Sequence, residues 1–274
     1  STSGKGTIFE YDITNNNYST RFELQDSTGG NPEGSLVQAM NGKLYGFTRE
    51  GGANNEGVLF EFDLSTNTYL KKHDLNDSTG SFPVSSLLSV PGMKLIGMTT
   101  GAGAYGFGTI LEYDLSSDSI NKLFDFSDNS GYPTNGSLVE INPGNVAGFT
   151  AGGPVVGYGT IFVFDYVNHV FTQAFTMADS SGYAPRGTLC KALNGNLFGI
   201  TRGGGRYGTG VIFEYNSTTD TYREIFDFGE SEGSQPTSSL VQASNGKLYG
   251  LTMTGVTYNS GTIFEYDFSS NTYT

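Results

Sequence analysis

The segment Gly6-Thr7-Ile8-Phe9-Glu10-Tyr11-Asp12 returns at Gly57, Gly108, Gly159, Gly210 and Gly261, each copy 51 residues after the last with no insertion or deletion. A second segment keeps the same register: Gly46 and Thr48 recur as Gly97/Thr99, Gly148/Thr150, Gly199/Thr201 and Gly250/Thr252. A fixed period of this length restricts the chain to an array in which each repeat buries its apolar face against its neighbours.

Each repeat holds four short apolar runs separated by turn chemistry. Leu36 to Ala39 runs into Asn41-Gly42, a dipeptide that predicts a type I′ hairpin, and Lys43 to Thr48 follows. A glycine-rich loop, Glu50 to Glu56, leads to Val58–Leu64; Ser65-Thr66-Asn67 then turns the chain into Tyr69–Leu75. Period-two alternation places Tyr18, Thr20, Phe22 and Leu24 on one face of the fourth run, and Phe9 and Tyr11 on one face of the third. The Tyr, Phe, Val, Ile and Thr content favours strands, and forty glycines penalise helices. The expectation is an all-β chain, a β-propeller of four-stranded antiparallel blades with five full repeats and part of a sixth. The aromatic rows are expected to be core.

Asn41-Gly42-Lys43-Leu44-Tyr45-Gly46, the glycine pairs Gly51-Gly52, Gly152-Gly153 and Gly203-Gly204, and the Phe-Glu-Tyr-Asp strand resemble a kelch unit. Tryptophan is absent; Tyr18, Tyr69, Phe171, Tyr222 and Tyr273 stand where a kelch repeat often has one. The sequence more closely resembles the GloVer tandem repeats of secreted bacterial proteins. That resemblance implies a propeller and a place on a large surface protein, notably of the Bacteroidetes type, and implies no particular reaction. Kelch strand order would make the Leu36-Val37 strand innermost and Tyr69–Leu75 outermost. Residues 1–19 and 256–274 then occupy the same phase. The expectation is one propeller domain over residues 1–274, an excerpt of a longer array whose complete ring has about six blades.

A net charge of −13 argues against nucleic acid and anionic membranes as partners. No apolar run is long enough to span a membrane, and an export signal would lie outside this segment. The one cysteine, Cys190, takes the place of Val37, Leu88, Val139 and Val241 and reads as core. Of the two histidines, His73 replaces a strand Phe and His169 a turn Asn or Asp, so neither a zinc site nor a Ser–His–acid arrangement is supported. No cofactor is implied.

A glycosidase or lyase would need converging carboxylates. The polar positions of the expected inner strands, lining a channel, are Gln38, Ser89, Glu140, Lys191 and Gln242, with Glu140 paired to Lys191. The recurrent Glu10, Glu61, Glu112, Glu214 and Glu265 are too dispersed for one site. Loops beginning Asp26, Asp77, Asp128 and Asp179 read as Asx-turns, with calcium as the alternative; Glu230-Ser231-Glu232-Gly233 is their degenerate fifth copy. Ser27 and Ser78 sit in Asp-Ser-Thr triplets that resemble an O-glycosylation signal of exported Bacteroidetes proteins.

Strand alternation sends the two long loops of every repeat to one face. That face collects Arg49, Asn54, Tyr105, Phe107 and Tyr158, then Arg186, Arg202, Arg206, Tyr207 and Tyr258. These residues differ between copies while the strands do not. Tyr and Arg on loops of a rigid scaffold are binding chemistry, suited to a glycan or protein ligand. The leading expectation is therefore a non-enzymatic extracellular binding or adhesion module. The alternatives are a carbohydrate-active enzyme and a structural spacer.

Overall fold

The structure, a computed structural model, describes residues 3–153, 157–229, 231–255 and 260–274. These form antiparallel sheets and no helix, so no helix is long and apolar enough to cross a membrane. The chain divides into two compact units, Ser1–Phe126 and Ser127–Thr274.

In the first unit, β1 (Thr7–Asp12) pairs with β2 (Asn17–Glu23). The second sheet runs β3 (Val37–Gln38), β4 (Leu44–Thr48), β5 (Val58–Asp63), β6 (Thr68–Asp74). The third runs β7 (Leu88–Val90), β8 (Lys94–Met98), β9 (Thr109–Asp114), β10 (Ser119–Asp125). In the second unit, the fourth sheet has β11 (Tyr132–Pro133) and β12 (Val139–Asn142) both on β13 (Asn145–Ala151), then β14 (Thr160–Asp165) and β15 (Val170–Thr176). The fifth is β16 (Tyr183–Lys191), β17 (Leu197–Gly203), β18 (Val211–Asn216), β19 (Thr221–Asp227). The sixth places β20 (Ser234–Pro236) and β21 (Val241–Gln242) on β22 (Leu248–Thr254), followed by β23 (Ile263–Asp267) and β24 (Thr272–Tyr273).

Two sequence expectations are corrected locally. The first hairpin is not type I′, because neither Met40 nor Asn41 adopts positive φ. Gly42 donates to the Ala39 carbonyl (2.9 Å) with φ 81°, and Ala39 N–H bonds Lys43, which is a three-residue loop with a glycine bulge. Gly195 and Gly246 repeat it with φ of 86° and 82°. Nor does the fourth strand keep one face. Arg21, Lys72, Leu123, Ala174 and Ile225 are each an extra residue opposite the third strand. The bulge puts Phe22 opposite Ile8, on the other face from Tyr18.

The bulge makes the joints between sheets. Phe22 reaches forward to stack on Tyr69 of the next sheet (centroids 4.2 Å, 3°), Phe175 on Tyr222 (3.9 Å, 0°) and Phe226 on Tyr273 (4.5 Å, 2°). Each tyrosine also stacks on its own sheet's Phe60, Phe213 or Phe264. Their hydroxyls donate to the carbonyls of Thr28, Ser181 and Glu232, so a buried polar tip is satisfied. Between the second and third sheets the cluster is Tyr45, Phe47, Leu59, Leu95, Leu111 and Tyr113; between the fourth and fifth it centres on Phe149, Ile161, Leu197 and Phe213. Each such buried ring contributes about 2 kcal/mol by area. Cys190 is half-buried against the Phe198–Phe264 cluster, where burial pushes its thiol up.

Candidate functional site

Equivalent residues one repeat apart touch. Ser35 N–H donates to Ser86 Oγ (2.8 Å), Ser137 N–H to Thr188 Oγ1 (2.9 Å) and Thr188 N–H to Ser239 Oγ (2.8 Å), each pair 51 positions apart. The backbone beside these bonds is so close that a Cβ on Gly136 would lie 2.0 Å from the Gly187 carbonyl oxygen, and one on Gly187 2.6 Å from Ser239 N. Two residues before each bonded position stands one that varies in every copy: Glu33, Val84, Asn135, Arg186 and Thr237.

In the second unit Asn135, Arg186 and Thr237 line one cavity of about 430 Å³ with Gly187, Arg202, Ser239 and Met253. Two residues before Arg186 and Thr237, Ala184 (φ 52°) and Gln235 (φ 53°) hold left-handed backbone. That conformation costs a non-glycine residue about 1 kcal/mol. Arg202 Nε and Nη2 donate to Gln235 Oε1 (3.4 and 3.2 Å), a neutral acceptor. Ten of the fourteen lysines and arginines lie within 4.0 Å of a described carboxylate. The remaining four are Arg186, Lys191, Arg202 and Arg206.

The structure thus brings together Arg186 and Arg202 of the expected loop-face residues. It also pairs Arg206 with Tyr207, the guanidinium 5.4 Å from the ring centroid. Tyr207 lines a second cavity of about 700 Å³ with Thr209, Phe226, Asp227, Gly229, Ser231 and Glu232. Tyr158 is committed to the framework: its hydroxyl donates to Asp179 (2.9 Å) and its ring meets Tyr183 edge-on. In the first unit, Arg49 is held by Glu33 (3.6 Å) and Glu50 (3.7 Å), and Asn54 donates to the Leu75 carbonyl. Tyr105 is exposed and Phe107 half-buried. Tyr258 lies outside the described residues.

The channel-lining set resolves differently from the expected ion pair. Lys191 Nζ donates to the carbonyls of Glu140 (3.2 Å) and Ile141 (2.8 Å), while the Glu140 carboxylate accepts from Tyr166 (2.9 Å). The backbone of the neighbouring repeat is nearer to the lysine than the carboxylate, which turns along its own sheet. Gln38 and Gln242 donate to the carbonyls of Gly42 and Gly246, and Gln242 Oε1 accepts from Leu193 N–H. Ser89 pairs in β7 with Leu95.

The Asp-bearing turns are closed by hydroxyls rather than by Asp26, Asp77, Asp128 or Asp179. Thr28, Thr79, Ser130 and Ser181 each accept from the backbone N–H three residues back and donate to the same residue's carbonyl. A hydroxyl can do both; a carboxylate can only accept. Asp26 instead pairs with Lys5 (2.6 Å). Among the described residues no three His, Cys, Asp or Glu side chains gather as a metal site would require. Ser27 and Ser78 are exposed, and Ser78 Oγ donates to Asn76 (2.6 Å). His73 faces Asp118 (Nε2 to Oδ1 3.4 Å) and the edge of Tyr113, and His169 occupies its turn at φ 58°. The recurrent glutamates are framework too: Glu61 binds Lys43 and Tyr45, and Glu265 binds Lys247 and Tyr249.

The sequence signal for the cavity is a local charge imbalance. Residues 180–213 hold four basic side chains and no acidic one, in a chain of net −13. Averaged over the whole chain, that excess disappears.

A search of curated proteins returns no match. Three solved structures share the fold. Nidogen in a nidogen/laminin complex matches with TM-score 0.61 at 12% identity, over 99% of this chain and 89% of that one. Oligogalacturonate lyase in complex with manganese gives 0.60 at 12%, over 98% and 69%. The extracellular domain of a hybrid two-component system protein from B. thetaiotaomicron gives 0.61 at 15%, over 99% of this chain but 30% of that one. These likenesses establish the β-propeller fold. The model of the Gloeobacter/Verrucomicrobia repeat matches residues 1–175 and again 142–274, so the chain belongs to that repeat family.

Proposed function

We propose that this propeller is a non-enzymatic binding module displayed outside the cell, with a glycan as ligand on its long-loop face. The observation that carries the reading is the cavity of Asn135, Arg186, Arg202, Thr237, Ser239 and Met253. Its lining differs between copies on an otherwise repeated framework, as recognition surfaces do. It offers amide, hydroxyl and guanidinium groups for hydrogen bonding. Among the described residues its lining holds no carboxylate, histidine or thiol that could exchange a proton near neutral pH. Display outside the cell is supported by the similarity to an extracellular domain and to nidogen, which that structure holds in complex with laminin.

A glycan array followed by calorimetric titration of the hits tests the reading. Saturable binding without turnover is expected. Catalytic cleavage of a bound polysaccharide would replace it with an enzyme, and failure to bind any glycan would leave a structural spacer.

A further inference from the structure

We infer that the Arg186–Arg202 cavity is a subsite for the anionic group of an acidic saccharide. The guanidiniums take its carboxylate or sulfate, while Asn135, Thr237 and Ser239 take neighbouring hydroxyls. This deepens the binding role proposed above and rests on it.

The repeat supplies its own control. Arg186 and Arg202 of the fifth sheet stand at the positions of Glu33 and Arg49 in the second. In the second sheet those positions neutralise each other, with Arg49 Nε 3.6 Å from Glu33 Oε1. In the third, fourth and sixth they are uncharged: Val84/Thr100, Asn135/Ala151 and Thr237/Met253. The fifth alone puts a cation at both. No described carboxylate lies within ion-pair distance of either, and Arg202 is held by a neutral amide oxygen that leaves its charge uncompensated. Two like charges on one concavity repel, and an oxyanion between them removes that cost. The planar guanidinium fork matches a carboxylate or sulfate with two parallel hydrogen bonds. An extended anionic polymer such as nucleic acid is disfavoured by the overall charge of −13, whereas a saccharide bearing one anionic group per ring fits a single small cavity.

The test is isothermal titration calorimetry of the whole chain at low ionic strength. The probes are a hexuronate tetrasaccharide, a sulfated tetrasaccharide, a neutral tetrasaccharide of the same length and a tetraglutamate peptide. The expected result is preference for one of the two acidic saccharides, weakening as salt is raised. Arg186→Gln and Arg202→Gln should each lose about tenfold or more in affinity. Arg186→Glu recreates the pairing of the second sheet, so it should abolish binding while leaving the thermal midpoint unchanged or raised. If that variant fails to fold, the glutamine variants carry the reading. Equal affinity for neutral and acidic saccharides, or binding indifferent to folded Arg186 and Arg202 variants, overturns this inference and leaves the binding role standing. Binding of the peptide alone overturns the saccharide assignment. No binding to any saccharide overturns the proposed function itself.

Discussion

Phe175 and Tyr222 lie with ring centroids 3.9 Å apart and planes parallel, although they come from the fourth strands of successive sheets. Tyr222 also stacks on Phe213 and gives its hydroxyl to the Ser181 carbonyl. One side chain therefore joins two sheets and a turn. Burial pushes its phenol well above the ordinary value, so it stays a donor throughout the physiological range.

Tyr222→Phe keeps the stack and orphans the Ser181 carbonyl. It should cost about 1 kcal/mol in urea unfolding of the second unit. Tyr222→Ala removes the ring from both partners and should cost about 3 kcal/mol or more, as large core deletions do.

Gly187→Val places a side chain where the backbone of Ser239 passes, at a residue with φ 67°. Clash and strain together should destabilise by at least about 2 kcal/mol. A lowered thermal midpoint for this variant, with little change for Gly195→Asn in the open turn, would check the contrast; no atom lies within 4 Å of a Cβ at Gly195.

Acid should loosen the first unit. Hydrogen bonds from Lys72 and Tyr113 lower the Asp118 carboxyl. Burial raises Glu61, but the bonds and charge of Lys43 and the Tyr45 hydroxyl outweigh it and leave that group lowered too. A lowered folded value means the stabilisation is complete above the unfolded value and is lost as pH falls through the folded one. The thermal midpoint should be flat above about pH 5 and fall below about pH 4. Lys43→Met should flatten part of that fall.

His73→Phe restores the residue found in the other copies. Asp118 keeps Lys72 (2.8 Å) and Tyr113 (2.7 Å) as partners, so the loss of the imidazole contact should change stability by less than about 1 kcal/mol. A double-mutant cycle with Asp118→Asn would read the His73–Asp118 coupling directly.

The period and the four strands of each repeat were legible in local residue patterns, whereas the type of the Asn41-Gly42 turn and the closure of the Asp-bearing turns were not. His169 at φ 58° stands where Asn16, Asn67, Asp118, Asp220 and Asn271 also turn left-handed, so the alignment of copies placed it correctly. The bulge at Ala174 was not legible, since alternation looks the same until pairing with the third strand is known. The Glu140–Lys191 pair was misread because a lysine one repeat along reaches backbone carbonyls as readily as a carboxylate. The cavity stayed hidden for a related reason. Arg186 and Arg202 lie in one copy, but Asn135 and Thr237 reach it from the two neighbours, and only the packing of repeats makes them one lining.

The hydrogen bonds between residues 51 positions apart have an evolutionary consequence. Because Ser35 meets Ser86, Ser137 meets Thr188 and Thr188 meets Ser239 through the same N–H-to-hydroxyl bond, these joints share one geometry. A whole repeat can be copied, deleted or exchanged by recombination, and the seams on either side still match. What changes is the cargo at positions such as 33, 84, 135, 186 and 237, one residue per copy. New side chains at these positions can therefore be dealt from a common deck without redesigning the frame that holds them.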